Sequence, residues 1–511
     1  IKNFGITHIW YTGIIRHAST TRYANIPKNN ISIVKGKAGS PYAITDYYDV
    51  HPDLADNIEN RMFEFENLVE RTHNEGLNVI IDFIPNHLSR EYKSLKKPSN
   101  IDDFGAKDNP LLAFNPQNNY YYITNDNLHL PFSSDFIESP AKASGNDIFH
   151  SYPKQNDWYE TIKLNYGLDY LQNKTKHFHP TPKTWLLMRE VLAYWAKKGI
   201  DGFRCDMAEM VPVEFWAWVI PFIKKINPKI LFIAEIYNPE AYLPYLDTGG
   251  FDYLYDKVGL YDCLREVIIG NKSAEEISYI WQGLKGLDNK MLRFLENHDE
   301  QRIASSFFAE EPKKAVPAFF LVAAMHQNPL LIYFGQEFGE SASGESGFSG
   351  DDGRTSLFDY CPVPSIQNWV LNSKFDEARL AKETYMLYMD YKKIIHFSLN
   401  NKAIQEGKFY DLMWANKSNS FFHSHSIFAF IRTGLNQNIL CICNFSKNSQ
   451  RLNIKIPEHA FDFCNILNSN LLNLNFEEYF TSNRINANGV DIINNGITVE
   501  IDAFAYAAYQ F

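Results

Sequence analysis

The 511-residue chain has little cysteine: Cys205, Cys263, Cys361, Cys441, Cys443 and Cys464, with no CxxC pair among them. That argues against a disulfide framework and for scattered buried thiols, Cys441 and Cys443 standing at strand spacing with side chains facing one way. No apolar run reaches the roughly 18 residues that a membrane-spanning helix needs. No run of five basic residues occurs either. Lys plus Arg total 49 against 60 Asp plus Glu, a net charge of −11, so nucleic acid is repelled on average and a neutral partner fits better. An HExxH motif and a His pair at helical spacing are also missing, which argues against metal catalysis. The chain opens at Ile1 with no initiator Met, basic n-region or apolar signal core. It reads as an interior segment, with further residues expected upstream and no targeting region from which to assign a compartment.

What the sequence has in excess is aromatic side chains, 15% of residues with 30 Tyr and 9 Trp. Such rings bury well and also stack on sugars or bases, and the charge disfavours bases. Seven short apolar runs read as buried strands: Ile6–Trp10, Asn78–Ile84, Ile200–Met207, Ile230–Glu235, Phe251–Tyr255, Met291–Asn297 and Leu330–Gly335. Helical periods lie between them. Asn60–Asn74 carries Phe63, Phe65, Leu68 and Val69 and stops at Gly76, and Thr184–Lys198 carries Leu187, Val191, Tyr194 and Trp195 and stops at Gly199. Apolar strands alternating with helices predict a parallel sheet covered by helices.

About a hundred residues after Ile84 are rich in Asn, Pro and aromatics, too long for a structureless loop, and predict an inserted subdomain overhanging the C-terminal ends of the strands. Residues 344–352 (GESGFSGDD) lack the Lys and Ser/Thr of a phosphate loop and read as a rim loop. After about residue 395, strand-length apolar runs with little helical period predict an antiparallel β module, a sandwich. The expected organisation is barrel over 1–87 and 181–394, inserted subdomain over 88–180, and β-sandwich over 395–511.

Chemistry gathers at the strand ends. Asp82, Asp206, Glu235, Asn297, His298 and Asp299 close apolar runs or lie just beyond them, where an α/β sheet holds its ligand. A period of two sets Arg204 and Asp206 on one face and Phe203 and Cys205 on the other. Asp206 and Glu235 on adjacent strands fit a retaining glycosidase, in which one carboxyl attacks the anomeric carbon and the other protonates the leaving oxygen. Burial and a like-charged neighbour would raise one acid's pKa, while Arg204 would hold Asp206 ionised. His87 and His298 become donors to sugar hydroxyls.

Four segments in order carry a family resemblance: Asp82–His87 (DFIPNH), Gly202–Asp206 (GFRCD), FIAEIYN around Glu235, and Phe294–Asp299 (FLENHD). The chain resembles the α-amylase family, glycoside hydrolase family 13. The resemblance implies a (β/α)8 TIM barrel with a subdomain inserted after the third strand and a C-terminal antiparallel β-sandwich. It implies Asp206 as nucleophile, Glu235 as general acid/base and Asp299 as the carboxylate gripping sugar hydroxyls. Arg204, His87 and His298 would line the subsite of the attacked glucose, Tyr42 would stack on that sugar, and Asp82 would orient. Asn86 resembles the position that helps bind a structural calcium; no cofactor is required for the chemistry. Glu209 and Met210 stand where many relatives have Lys and His after the nucleophile, and Leu164–Asp169 (LNYGLD) is a loose counterpart of another calcium segment. Phe4–Trp10 resembles the lead into the second barrel strand, so the first strand is expected to be missing. The implied activity is double displacement on α-glucans or malto-oligosaccharides. A glucanotransferase is the alternative, and a non-catalytic carbohydrate-binding or scaffold homologue is the rival class. Linkage, chain length and oligomeric state are not legible.

Overall fold

The structure, a computed structural model, describes all residues except 344–351, 372, 373 and 435. The elements that position the site are, in chain order, β1 (His8–Tyr11), α1 (Arg61–Asn74), β2 (Asn78–Phe83), β3 (His87–Ser89), β4 (Thr161–Lys163), α2 (Lys183–Ala196), β5 (Gly202–Cys205), α3 (Val213–Ile226), β6 (Leu231–Ala234), β7 (Tyr253–Tyr255) and β8 (Met291–Leu292). Strands β1, β2, β5, β6, β7 and β8 are hydrogen-bonded in that order, all parallel. The seventh apolar run joins through a parallel bridge between Arg293 and Leu330. Among the described residues nothing pairs with the outer edge of β1, so the sheet is an open half-barrel and not a closed ring of eight.

The period of two along these strands sorts their side chains between two cores. Val79, Ile81, Phe83, Phe203, Cys205, Phe232 and Ala234 pack outward with Phe65, Val69, Trp195, Phe215 and Trp216 of the helices. Ile80, Ile233, Tyr255, Leu292 and Phe294 form a smaller cluster on the concave side, with Trp10 against it. Because each strand is covered on both faces, it reads as continuously apolar. Helix α1 buries Phe65 and Val69, but Phe63, expected in its apolar stripe, is 63% exposed. Its position two residues before Phe65 turns it about 200° away around the helix.

Regular structure is sparse in the inserted segment. The antiparallel pair of β3 and β4, with His87 opposite Lys163, anchors it beside the end of β2. Buried polar contacts replace ladders: Arg90 Nη1 donates to Glu138 at 2.6 Å, and the Asp108 carboxylate accepts from the amides of Asn119 and Tyr120. The rim loop expected at 344–352 lies, apart from Asp352, outside the described residues.

Helix α4 (Lys382–Asn400) runs across residue 395, where the composition changes. Beyond it follow β9 (Lys408–Asp411), β10 (Ile427–Gly434), β11 (Gln437–Asn444), β12 (Gln450–Ile454), β13 (Asn473–Glu478), β14 (Arg484–Asn488), β15 (Ile497–Ile501) and β16 (Tyr506–Gln510). Six of these form an antiparallel sheet in the order β9-β10-β11-β16-β13-β14, and β12 and β15 pair separately. The second layer of the expected sandwich is therefore two strands only, its Leu452, Ile454, Val499 and Ile501 packed into one core with the larger sheet. The last apolar stretch, residues 497–510, divides between β15 and β16, which lie in different sheets. All six thiols are free, and five are buried, Cys361 being the half-buried one.

Candidate active site

Strands β5 and β6 lie in register with Cys205 beside Ala234. The next residue of each, Asp206 and Glu235, therefore leaves neighbouring strands side by side at their C-terminal ends. Main-chain bonds fix both exits: the Asp206 amide donates to Phe83 O at 2.9 Å and the Glu235 amide to Cys205 O at 3.1 Å. The same register sets Arg204 opposite Asp82 of β2.

Arg204 is the hub. Its guanidinium is 1% exposed. Nη1 donates to Asp206 Oδ1 at 2.8 Å and to Asp82 Oδ1 at 3.3 Å, Nη2 lies 2.8 Å from Glu235 Oε2, and Nε donates to the Tyr255 hydroxyl at 3.1 Å. The rings of Trp10, Tyr42 and Tyr255 surround it at 5.4, 5.5 and 5.6 Å. A planar, permanently charged fork can hold three acids in one orientation, which a lysine cannot. Asp82 is fixed further by Trp10 Nε1 at 3.1 Å. Glu235 accepts from Tyr237 Oη at 2.6 Å and from the Met207 amide at 2.7 Å.

The third acid arrives from beyond β8. Asn297 Oδ1 accepts from the amides of Asp299 and Glu300 at 2.8 and 3.0 Å, shaping the turn that presents Asp299. His298 Nε2 lies 2.7 Å from the Tyr42 hydroxyl and 3.0 Å from Asp299 Oδ2, and the rings of Tyr42 and His298 stack at 5.6 Å. The Asp299 side chain is 42% exposed while those of Asp206 and Glu235 are 8% and 4%. Asp206 and Glu235 are thus buried, and Asp299 is the acid of the three whose side chain reaches the surface.

Electrostatics divides the acids. Burial pushes the Asp206 carboxyl well up against the pull of Arg204, and the charges of Glu235, Asp82 and Asp299 add to the rise. Arg204 acts in the expected direction, favouring the ionised form of Asp206, but burial is the larger cause and the neighbouring acids add to it. Asp299 moves the other way: burial opposes it, but His298 beside it brings it down to about 2. His87 is buried, its imidazole beside the Tyr42 backbone and 5.1 Å from the Trp158 ring. Burial, then the charges of Lys163 and Lys35, lower its pKa to about 3, leaving a neutral ring.

The structure thus brings Tyr42, Asp82, Arg204, Asp206, Glu235, His298 and Asp299 together, with His87 on the adjoining wall. Asn86 stands behind His87, its Nδ2 3.2 Å from His87 Nδ1 and its Oδ1 accepting from Lys163 Nζ. Trp10, Tyr237 and Tyr255 were not singled out from sequence. Trp10 and Tyr255 close predicted strands and Tyr237 follows Glu235 by two, so the rule that found the acids at strand ends would have found these aromatics.

Two family models match: the alpha amylase catalytic domain over residues 1–240 and the alpha amylase C-terminal all-beta domain over residues 417–511. Among curated proteins, the chain is 23% identical over 383 residues to Alpha-amylase 3 of Dictyoglomus thermophilum, covering 72% of this chain and 68% of the relative. It is 22% identical over 467 residues to Neopullulanase 2 of Thermoactinomyces vulgaris, covering 90% of this chain and 63% of the relative. For two further α-amylases, MalA of Haloarcula japonica and Alpha-amylase 2 of Dictyoglomus thermophilum, the match spans only 40% and 48% of the relative's length. Of solved structures, an alpha-amylase from Lactobacillus plantarum aligns at TM-score 0.62 and 18% identity, covering all of this chain and 92% of the other.

Proposed function

The chain belongs to the alpha-amylase family, and on that premise we propose that it is a retaining α-glycoside hydrolase acting on α-glucans or malto-oligosaccharides. The observation that carries the reading is Arg204, which sets two carboxyls of adjacent strands on its two terminal nitrogens, Asp206 at 2.8 Å and Glu235 at 2.8 Å. Asp206 Oδ attacks the anomeric carbon while the Glu235 carboxyl gives its proton to the departing glycosidic oxygen, forming a covalent glycosyl-enzyme. Glu235, now a carboxylate, then takes a proton from water, which attacks the same carbon and frees Asp206. Tyr237 Oη and the Met207 amide hold the Glu235 carboxyl between the two proton transfers. Asp299, ionised beside His298, is the acceptor for the sugar hydroxyls. Tyr42, half-buried, supplies flat surface for the pyranose.

Relatives named Neopullulanase 2, Cyclomaltodextrinase and Alpha-1,4-glucan:maltose-1-phosphate maltosyltransferase support the same substrate class and also the alternative in which a sugar replaces water as acceptor. Chromatography of products from maltotriose separates the two: glucose and maltose indicate hydrolysis, and a ladder of longer oligomers indicates transfer. Asp206→Asn removes the nucleophile, and turnover of an α-glucan is expected to vanish. Unchanged turnover in that variant would overturn the mechanism and favour a site elsewhere.

A further inference from the structure

Lys163 is a cation buried at the junction of the half-barrel and the inserted segment, and the mechanism above does not use it. It ends β4, opposite His87 in register, and its side chain is 2% exposed. Three oxygens converge on Nζ from three parts of the chain. Asn86 Oδ1 follows β2, Met210 O follows β5 at 3.3 Å, and Asp147 Oδ1 comes from the inserted segment at 2.8 Å. The Asn86 amide is oriented by donation from Nδ2 to Gly145 O at 2.8 Å, which turns its oxygen to the ammonium. Asn86 Oδ1 and Met210 O accept hydrogen bonds from the ammonium, and Asp147 Oδ1 faces it as an ion pair.

The calcium that the family resemblance implies would draw on Asn86 and on the Leu164–Asp169 segment, whose acid, Asp169, instead accepts from the Leu171 amide at 2.9 Å. They do not fit it. Calcium takes 6–8 oxygens, whereas the centre of this oxygen set is occupied by Nζ and the set contains one carboxylate. A divalent ion there would add two positive charges to a fixed ammonium with only Asp147 to balance them. Among the described residues no group of three or more His, Cys, Asp or Glu side chains is arranged to hold a metal.

We propose that the Lys163 ammonium is the built-in cation of this junction, tying the inserted segment to the ends of β2 and β5 so that the fold needs no divalent ion. The same tie sets His87: Asn86 Nδ2 lies 3.2 Å from its Nδ1, and Lys163 pairs with it across the strands. Lys163 is a positioning residue in this account and touches no substrate.

The test reads unfolding and stands apart from the proposed activity. The thermal midpoint of the wild-type chain is expected to be the same in excess chelator and in millimolar calcium chloride, and the dialysed protein is expected to hold far less than one calcium per chain by elemental analysis. Lys163→Met keeps the stem and removes the charge, and should lower the midpoint by roughly 3 °C or more, equally in chelator and in calcium. A wild-type midpoint that falls in chelator and returns with calcium would overturn the proposal. So would a stoichiometric calcium that survives dialysis, or a methionine variant as stable as wild type. Should that variant fail to fold, the wild-type melts and the metal content still decide.

Discussion

Replacing Arg204 with methionine keeps most of the volume and removes the charge on which three acids depend. The guanidinium would no longer reach Asp206 at 2.8 Å, Glu235 at 2.8 Å, Asp82 at 3.3 Å or the Tyr255 hydroxyl at 3.1 Å. Removing one partner of a buried ion pair costs about 3–5 kcal/mol, because the other charge stays buried and unpaired. The cluster has one escape, which is to protonate a carboxyl. That costs about 1.4 kcal/mol per pH unit above an ordinary carboxylate pKa near 4, hence roughly 4 kcal/mol at pH 7 and roughly 1.4 kcal/mol at pH 5. Burial already raises Asp206 in wild type against the pull of Arg204, and without that pull its folded pKa stands further above its unfolded value, so the folded variant binds more protons than folded wild type. Stability then falls as pH rises between those two values. The expected deficit against wild type is therefore about 3–5 kcal/mol at pH 7, shrinking by about 2 kcal/mol at pH 5. Urea unfolding followed by tryptophan fluorescence reads it, since the Trp10 ring stands 5.4 Å from the guanidinium. A deficit below about 1 kcal/mol at pH 7, the scale of an exposed pair, would refute the role of Arg204 as hub. A deficit identical at both pH values would refute the coupled-carboxylate argument.

Two further outcomes bear on the acids. Glu235→Gln retains the hydrogen-bonding shape presented to Tyr237 and Met207 but cannot shuttle a proton, and kcat on malto-oligosaccharides should fall by about 10²–10⁴-fold. Aryl α-glucosides whose leaving group needs no proton should lose less in bond cleavage, and an equal loss on both substrates would count against a general acid. The acid limb of kcat/KM, which reports the free enzyme, should lie above the ordinary carboxylate range near pH 4, because burial raises Asp206 and its protonated form cannot attack. A limb at or below that range would contradict the raised nucleophile.

Much of this arrangement was legible because strand register is short-range arithmetic. Apolar runs fixed where β2, β5 and β6 lie, and parallel pairing with Cys205 beside Ala234 makes Asp206 and Glu235 neighbours without further information. Alternation within GFRCD likewise set Arg204 on the concave side and Phe203 and Cys205 on the helix side, as the two packing clusters record. What sequence hid depends on long-range balance. Whether Arg204 dominates Asp206 is decided by how many other acids share the guanidinium, and Asp82 and Glu235 come to it from 122 and 31 residues away. Phe63 is a different case, since it lies about 200° from Phe65 around α1 and a count of apolar residues in the window ignores that angle.

Lys163 is the sharper case. Nothing in TIKLNYG marks a lysine as interior, and a basic residue at the end of a short edge strand ordinarily points to water. Its burial follows from closure of the inserted segment, which brings Asp147 and Met210, 16 residues before it and 47 after it, around the same nitrogen. The departures after the nucleophile, Glu209 and Met210 for Lys and His, are consistent with that arrangement. Met210 supplies only its backbone carbonyl, so its side chain is free to differ, and Glu209 turns away to accept from the Asn238 amide at 3.0 Å. The contact runs through a main-chain oxygen that every residue type carries, so the side chain at 210 does not decide whether Lys163 is held there.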